Sequence, residues 1–524
     1  LPASVNTLAD EDLPLFTPRN QILYSNPVNN KNDNPRIFLK SILKPLKGLE
    51  AVFEYTFDKN IYDYHWYTGQ YDYTTIQGGS SKSFVDDYLR KYKQHTNYNS
   101  INVYATYNKD FGNHHFKVMA GFNQESSYQE TLDTYSYNQA VLDVPAMSSG
   151  TGTIKATDSY SEYAIRGGFF RVNYNYLDKY LLEVNGRYDG SSKFPKSSRF
   201  GFFPSVSAGW QIAQERFMNS TRHWLDGLKL RASYGVIGNQ NINPYTFTPS
   251  MSVNNKATSW IIDDTYVTSI SSLPALVSQN FTWEKVGTIN VGLDVNLFNN
   301  RLSGVFEWYQ RNTNGMLAPG VQLPAVVGAS APYQNTADMR TRGWELSLNW
   351  RDQIGKVGYR IGFNLSDYKS EIIKYDDNAA TKLLSSYYPG QTLGEIWGYV
   401  VDGYYTVDDF VDTSSWQLKE GVTSINGYNV RPGDVKFKNL RDDDTSTNVI
   451  TSGDNTFDNP GDRKVIGNTT PRYQYGINLG MNYAGFDLNV ILQGTGKRDY
   501  WISNVLTFPM NGDNFVPLFE GLSD

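Results

Sequence analysis

The sequence predicts an all-β protein, a large antiparallel β-barrel that crosses a membrane through its strands. Three observations carry that reading. Apolar and polar residues alternate strictly in one stretch after another. The connections between these stretches are alternately short and long. Aromatic residues reach 15% of the 524, with 39 Tyr, 27 Phe and 11 Trp.

The alternation is plainest from Asp178 to Trp210. Tyr180, Leu182, Val184, Gly186 and Tyr188 fall on one face, and Glu183, Asn185, Arg187 and Asp189 on the other. After a loop rich in Gly, Ser and Lys, a second alternating stretch places Val206, Ala208, Trp210 and Ile212 together. Period-two alternation describes a sheet between an apolar and a polar medium. Here the apolar face carries tyrosine at both ends and aliphatic residues between. That suits a lipid-spanning strand, because tyrosine rings settle at the two membrane–water interfaces. A soluble sandwich strand has no reason to put amphipathic rings at both ends.

Composition excludes several alternatives. Apolar residues make up 40% of the chain, and no uninterrupted apolar run approaches the roughly 18–20 residues of a transmembrane helix. Cysteine is absent, so there is no disulfide, thiolate metal site or cysteine nucleophile. A net charge of −6 argues against nucleic acid, which is held by basic stripes. The start, Leu1-Pro2-Ala3-Ser4, has neither the basic nor the apolar region of an export signal. An exported barrel needs one, so either processing has removed it or the chain begins inside a longer protein, and the second is the reading taken.

In chain order, residues 1–36 are rich in Asn and Pro, show no period and read as loop, and residues 37–524 read as barrel. The first strands are Ile37–Leu43 and Leu49–Phe57, followed by Ile101–Tyr107 and Phe116–Phe122. Tyr163–Tyr176 turns at Leu177-Asp178-Lys179 into Tyr180–Asp189, and Val206–Ile212 leads to Leu228–Tyr234. Val291–Leu297 turns at Asn299-Asn300 into Leu302–Trp308, and Trp344–Trp350 is followed by Val357–Leu365. Tyr473–Tyr483 turns at Ala484-Gly485 into Phe486–Leu492. The total is about 14 strands in seven pairs. The long connections fall at 58–96, 123–160, 235–282 and 366–471. Loops of that length are uncommon in compact soluble domains, whereas short turns opposite long outer loops are the plan of outer-membrane barrels. The span from Tyr473 to Tyr483, tilted about 40°, rises roughly 26 Å, close to the ~25 Å apolar band of such barrels. Leu182, Val184, Leu346, Leu348, Ile477 and Leu479 therefore face lipid at mid-strand. The alternate faces, such as Glu345, Ser347 and Asn349 or Gln474, Asn478 and Asn482, are polar, as a wide wet or plugged lumen requires.

Several stretches also resemble the SusC/RagA-type TonB-dependent outer-membrane transporters of Bacteroidota. They are DKYLLEVNGRYDGSSKF with GFFPSVSAGW, LKLRASYGVIGNQNI, WEKVGTINVGLDVNLFNNRLSG, RTRGWELSLNW, GEIWGYVVDGYY, and PGDVKFKNL with DRKVIGNTTPRYQYGINLGMNYAGFDLNVILQG. Together they cover most of residues 160–495, in order. The resemblance implies a complete barrel of about 22 strands and an N-terminal plug through which TonB supplies energy. It also implies a SusD-like surface lipoprotein as lid. No plug or TonB box is recognisable before residue 37, so the chain is read as the middle and later part of a transporter importing oligosaccharides or oligopeptides.

No catalytic constellation emerges, and the chain is not read as an enzyme. His114-His115 sits at a hairpin turn and reads as solvated. The acid-rich loop 434–462 offers Asp442, Asp444 and Asp454 as hard oxygen ligands for Ca²⁺, but RDDDTSTN departs from the EF-hand-type pattern of relatives and a solvated loop is the simpler reading. Tyr64, Trp66, Tyr67, Trp260, Trp397, Tyr404 and Tyr405 are candidates for stacking on a ligand or docking the lipoprotein; packing between loops is their alternative. The rival functions are a passive porin or structural surface protein and, further off, a soluble carbohydrate-active β protein. The last would need two carboxylates about 5–10 Å apart.

Overall fold

In a computed structural model, the described residues are 28–68, 72–73, 82–83, 87–141, 144–251, 253–254, 261–262, 265–266, 270–271, 274–279, 281–441 and 448–501. Their architecture is dominated by one antiparallel sheet of 15 strands, with six two-stranded pairs in the long connections. We number them β1 (Asn29–Asp33), β2 (Arg36–Leu46), β3 (Leu49–Thr68), β4 (Tyr88–Phe111), β5 (His114–Tyr137), β6 (Ile154–Tyr176), β7 (Tyr180–Ser191) and β8 (Phe200–Gln211). The remainder are β9 (Leu225–Asn239), β10 (Glu284–Leu297), β11 (Leu302–Pro319), β12 (Tyr333–Ile354), β13 (Val357–Tyr375), β14 (Arg472–Tyr483) and β15 (Phe486–Lys497). From β3 to β15 each strand pairs with its neighbour in sequence, and β1 and β2 lie end to end along β3.

The ladders carry the alternation across the whole sheet. Residues directly opposed on paired strands point to one side, so a face can be followed from partner to partner. Ala105 opposes Ala51 and Ala120, Ala120 opposes Phe170, and Val172 opposes Val118 and Val184. Val184 opposes Val206, Val206 opposes Tyr234, Tyr234 opposes Ile289, and Val291 opposes Trp308. Phe306 opposes Leu346, Leu346 opposes Leu365, Phe363 opposes Ile477, and Ile477 opposes Leu492. One apolar belt therefore runs from β2 to β15 without changing side. It holds Leu182, Val184, Leu346, Leu348, Ile477 and Leu479, and its middle stays open to the surroundings, as at Leu182 (42%) and Leu479 (39%). Aromatic rings edge the belt. Near the short turns, Tyr176 stacks with Tyr180 at 6.2 Å, and Trp350 donates from Nε1 to the Tyr359 hydroxyl at 3.3 Å. Near the far rim, Tyr188 stacks on Phe200 at 5.3 Å.

The short turns gather at one end of the sheet. Leu177 and Asp178 both have positive φ (55° and 56°), and Lys179 N–H donates to the Tyr176 carbonyl at 3.0 Å. Ala484 and Gly485 repeat that left-handed pair. Such turns match the right-handed twist of the strands they join.

At the other end the strands run further than the alternation of hydrophobicity signals. β3 has 20 residues, β4 and β5 have 24 each and β6 has 23, against 12 each in β7, β8, β14 and β15. At ~3.3 Å per residue and ~40° tilt, 24 residues rise roughly 60 Å, more than twice the apolar band. About half of the stretch assigned from sequence to the loop 58–96, both ends of 123–160, and the leading ends of 235–282 and 366–471 are therefore ladder. The connections proper are 69–87, 138–153, 240–283 and 376–471. Above the belt both faces meet polar surroundings, so pairing continues while the apolar signal stops. β1 has the same cause. It lies in the stretch read as loop, yet Asn29–Asp33 pairs with Ile61–His65 on the upper half of β3, and Pro35, which lacks an N–H, marks the break before β2.

The belt's parity yields a direct expectation. Leu479→Arg places a charge in the middle of the apolar face and should cost about 2–4 kcal/mol near a bilayer midplane. Asn478→Arg, one residue away on the opposite face, should assemble far better. Heat-modifiable gel mobility of folded protein in membranes reads the difference, and equal tolerance at both positions would overturn the register.

Candidate functional site

The face opposite the belt is polar and hydrogen-bonded within itself. Arg231 on β9 donates to Asp294 on β10 (3.1 Å) and reaches Glu307 on β11, while Asn290 donates to Glu307 at 3.1 Å. The reach across β10 passes over Gly292, where an added Cβ would lie 2.6 Å from the Arg231 guanidinium carbon. Side chains two strands apart meet in this way on a concave face, so this is the inner wall. Asn173 donates to Glu183 at 2.5 Å, Asn123 to Asn102 at 2.6 Å, and Arg360 to Asn489 at 2.5 Å.

Near the far rim the loop 192–199 closes over an aromatic box of Phe194, Phe203, Phe281 and Trp283, all nearly inaccessible. Phe194 and Phe203 lie 5.0 and 5.2 Å from Trp283. Trp283 Nε1–H donates to the Arg199 carbonyl (2.9 Å), Ser198 to the Phe281 carbonyl (2.7 Å), and Thr282 to the Ser198 carbonyl (2.8 Å). The box ties the connection 240–283 to the wall. Sequence reading missed these residues. Their signal was the cluster of aromatics around the KFPKSSRFGFF and FTW segments, which the alternation rule does not use.

On the tall flank the structure brings Tyr64 and Trp66 together with aromatics of two neighbouring strands. Tyr64 opposes Tyr92, and Trp66 opposes Arg90, which in turn opposes Tyr135. The Arg90 guanidinium lies 5.5, 5.6 and 5.3 Å from the rings of Tyr64, Tyr92 and Tyr135 and forms a two-pronged pair with Asp133 (3.0 and 2.9 Å). Tyr88 packs on Trp66, Tyr135 and Tyr137 at 5.6, 5.7 and 5.7 Å. These residues continue the inner face. Tyr67 has the opposite parity and leaves the group. Its hydroxyl is buried on the outward side, and burial together with the Asp87 carboxylate pushes its pKa up to about 12. There Asp87, Ser136 and Gln139 form a buried polar knot beneath the connection 138–153, with Gln139 N–H donating to Asp87 at 2.9 Å.

The connection 376–471 has small cores of its own, and they separate the candidates that sequence had grouped. Tyr405 is fully buried with Phe410 and Val430, and its hydroxyl donates to the Thr423 carbonyl at 2.6 Å. It holds the loop's shape and offers no surface, which corrects its reading as an accessible stacking residue. The adjacent Tyr404 is 66% exposed. Trp397 stands edge-on to Phe457 at 6.3 Å in a second cluster with the buried Tyr388, whose hydroxyl donates to Glu395 at 3.1 Å. Trp260 lies outside the described residues.

Of the metal-ligand candidates, Asp442 and Asp444 lie outside the described residues, and Asp454 accepts a hydrogen bond from Asn459 at 2.9 Å. The buried acid of this loop is Asp462, which accepts backbone N–H bonds from Leu440 (2.9 Å) and Thr451 (2.8 Å) and so pins two segments together. Among the described residues no three His, Cys, Asp or Glu side chains gather closely enough to hold a metal ion. His114 meets the Tyr174 hydroxyl at 2.8 Å and His115 meets Asp110 at 2.7 Å, both at the short-turn end.

Comparison with known proteins agrees with this geometry. Residues 6–515 match the family described as TonB dependent receptor-like, beta-barrel. A TonB-dependent receptor of Formosa agariphila is 29% identical over 447 residues, which are 82% of this chain and 41% of that protein. The TonB-dependent receptor SusC of Bacteroides thetaiotaomicron is 32% identical over 283 residues, or 52% of this chain and 27% of SusC. Among solved structures, the RagAB peptide importer in its open-open state aligns with a TM-score of 0.77 at 21% identity, over 97% of this chain and 51% of that one. That likeness is one of fold. The chain thus spans about half the length of these relatives or less.

Two expectations follow from the loop cores. Trp283→Ala should open a cavity worth about 3–5 kcal/mol, read as faster protease nicking within 240–283 while the belt stays assembled. Asp409 accepts from the Thr406 N–H (2.7 Å) and pairs with Lys436 (3.2 Å), which holds its pKa below the usual carboxylate range. A carboxyl lowered on folding contributes stability above its unfolded pKa of ~4 and loses it as pH falls through the folded value. Amide-exchange protection around 405–436 should therefore drop below about pH 4, and Asp409→Asn should flatten that dependence.

Proposed function

The chain belongs to the TonB-dependent receptor-like β-barrel family of the outer membrane, a family of receptors and transporters rather than enzymes, and we propose that it forms much of the wall of an active importer for oligosaccharides or oligopeptides. The observation that carries this reading is the single-sided belt joined to a polar inner wall. A protein with lipid outside and hydrogen-bonding groups inside is built to conduct polar solutes. Among the described residues of the wall the neighbouring carboxylates Asp294 and Glu307 are both tied to Arg231, and in this reading the wall's work is binding and passage, with energy entering from elsewhere. In this reading TonB pulls on a plug that fills the barrel, and a SusD-like lipoprotein closes over the outer connections. Leu182, Val184, Leu346, Leu348, Ile477 and Leu479 contact lipid. The exposed Tyr404 and the outer connections 138–153, 240–283 and 376–471 face the lid and the medium.

A passive porin would share the belt and the polar wall, so energy dependence separates the two. Uptake of a labelled nutrient oligomer by cells relying on this protein should stop when a protonophore collapses the proton-motive force. Continued uptake would favour the passive pore. Epitope tags in 138–153 or 376–471 should react on intact cells, whereas tags at Asn299-Asn300 or Ala484-Gly485 should react only after permeabilisation; labelling at the turns would invert the topology.

A further inference from the structure

We propose that the inner face of the β3–β5 extension, above the belt, is a stacking platform for an uncharged oligosaccharide. As the capture site of the importer, it rests on the reading just given. The two faces of these strands diverge once they leave the belt. Outward, β3 and β4 mix charged or titratable side chains (Lys59, Asp63, His65, Lys91, Lys93 and His95) with Ile61, Tyr67 and Leu89, and β5 presents Tyr128, Glu130 and Leu132. Inward, the same strands present Tyr64, Trp66, Tyr88, Tyr92, Tyr135 and Tyr137. Lipid makes no demand at this height, so the inward rings answer to something in the lumen. They are half-buried rather than closed off, unlike the box around Trp283, and so keep ring surface to offer.

Their electrostatics select the ligand. Arg90 is the one cation at the centre of the group, and Asp133 grips it with two hydrogen bonds while three rings surround it. A guanidinium so neutralised anchors the rings and leaves the centre of the group without net charge for an acidic sugar or a peptide carboxylate, while the Lys155 ammonium sits at its edge, over the Tyr137 ring at 4.7 Å. What remains is aromatic surface with phenol hydroxyls and the polar Gln94 and Thr131 on the same face. Apolar sugar faces stack on such rings while the ring hydroxyls bond to the phenols and amide. From the level of Tyr62, which packs on Tyr92 at 5.9 Å, to that of Tyr88, the platform extends roughly 20 Å along the strands. That is room for several linked sugars.

The test uses the full-length protein purified from outer membranes in detergent, applied to an array of neutral oligosaccharides, uronate-bearing oligosaccharides and neutral decapeptides. Neutral oligosaccharides should bind, and the double variant Trp66→Ala/Tyr88→Ala should weaken that binding roughly tenfold or more with unchanged heat-modifiable mobility. Asp133→Asn leaves the Arg90 charge uncompensated and should add binding of the uronate-bearing members, a gain that a merely structural role would not give. Binding of no neutral oligosaccharide, decapeptides binding in their place, or a double variant as tight as wild type would each overturn the platform. Proton-motive-force-dependent uptake that survives intact in the double variant would overturn the platform and leave the importer standing. Ring-dependent binding by a protein whose uptake ignores the proton-motive force would overturn the importer reading instead.

Discussion

Everything in this molecule depends on the parity of its strand ladders. In lipid every backbone N–H and C=O must find a partner within the protein, and a closed or continuous sheet supplies them only between strands. Pairing alone does not keep the belt apolar. A slip of one residue at any ladder would send that strand's leucines and valines to the inner wall and its asparagines to lipid. No such reversal occurs within the belt; the register shifts that the ladders do contain, at Leu43/Leu46, Leu225/Gly227, Thr313–Leu317 and Asp338/Met339, lie at its two ends. The left-handed turn residues, among them Leu177-Asp178 and Ala484-Gly485, help set the register between strands that they join.

Parity also explains why one set of strands serves two purposes. Within the belt, the outward side is lipid-compatible and the inward side is polar and self-satisfied, as at Arg231, Asp294 and Glu307. Above it, the outward side gains charged side chains and the inward side turns aromatic. The change needs no new fold, only a change of side chains along a ladder that continues past the membrane. The extra height is greatest in β4 to β6 and recurs in β12, which has 22 residues, while β7, β8, β14 and β15 stay at 12.

Those connections are ordered by small, local devices. Asp462 and Asn378 each satisfy several otherwise unpaired groups; Asn378 accepts from Leu383 N–H and donates to the carbonyls of Leu383 and Tyr387. Tyr405 and the Trp283 box bury apolar surface where no large core exists. Each device fixes a loop at modest cost, because one buried carboxylate or ring replaces many contacts. The exposed residues between them, Tyr404 among them, are left for partners.

Sequence alone determined the β class, the belt residues, the short turns and the polar inner wall, because all of these follow from local alternation against two media. It could not determine how far the strands continue above the membrane, since a ladder in water has no hydropathy signature. That is why Asn29–Asp33 and Asp58–Thr68 read as loop. Nor could it tell Tyr404 from Tyr405, or Trp66 from Tyr67. Neighbours in sequence point to opposite sides, and whether a ring is buried or offered is decided by residues outside its own strand, such as Val430 for Tyr405 and Asp87 for Tyr67. Only the tertiary structure brings Arg90 between rings from three strands, because cross-strand register, not sequence distance, sets which side chains meet.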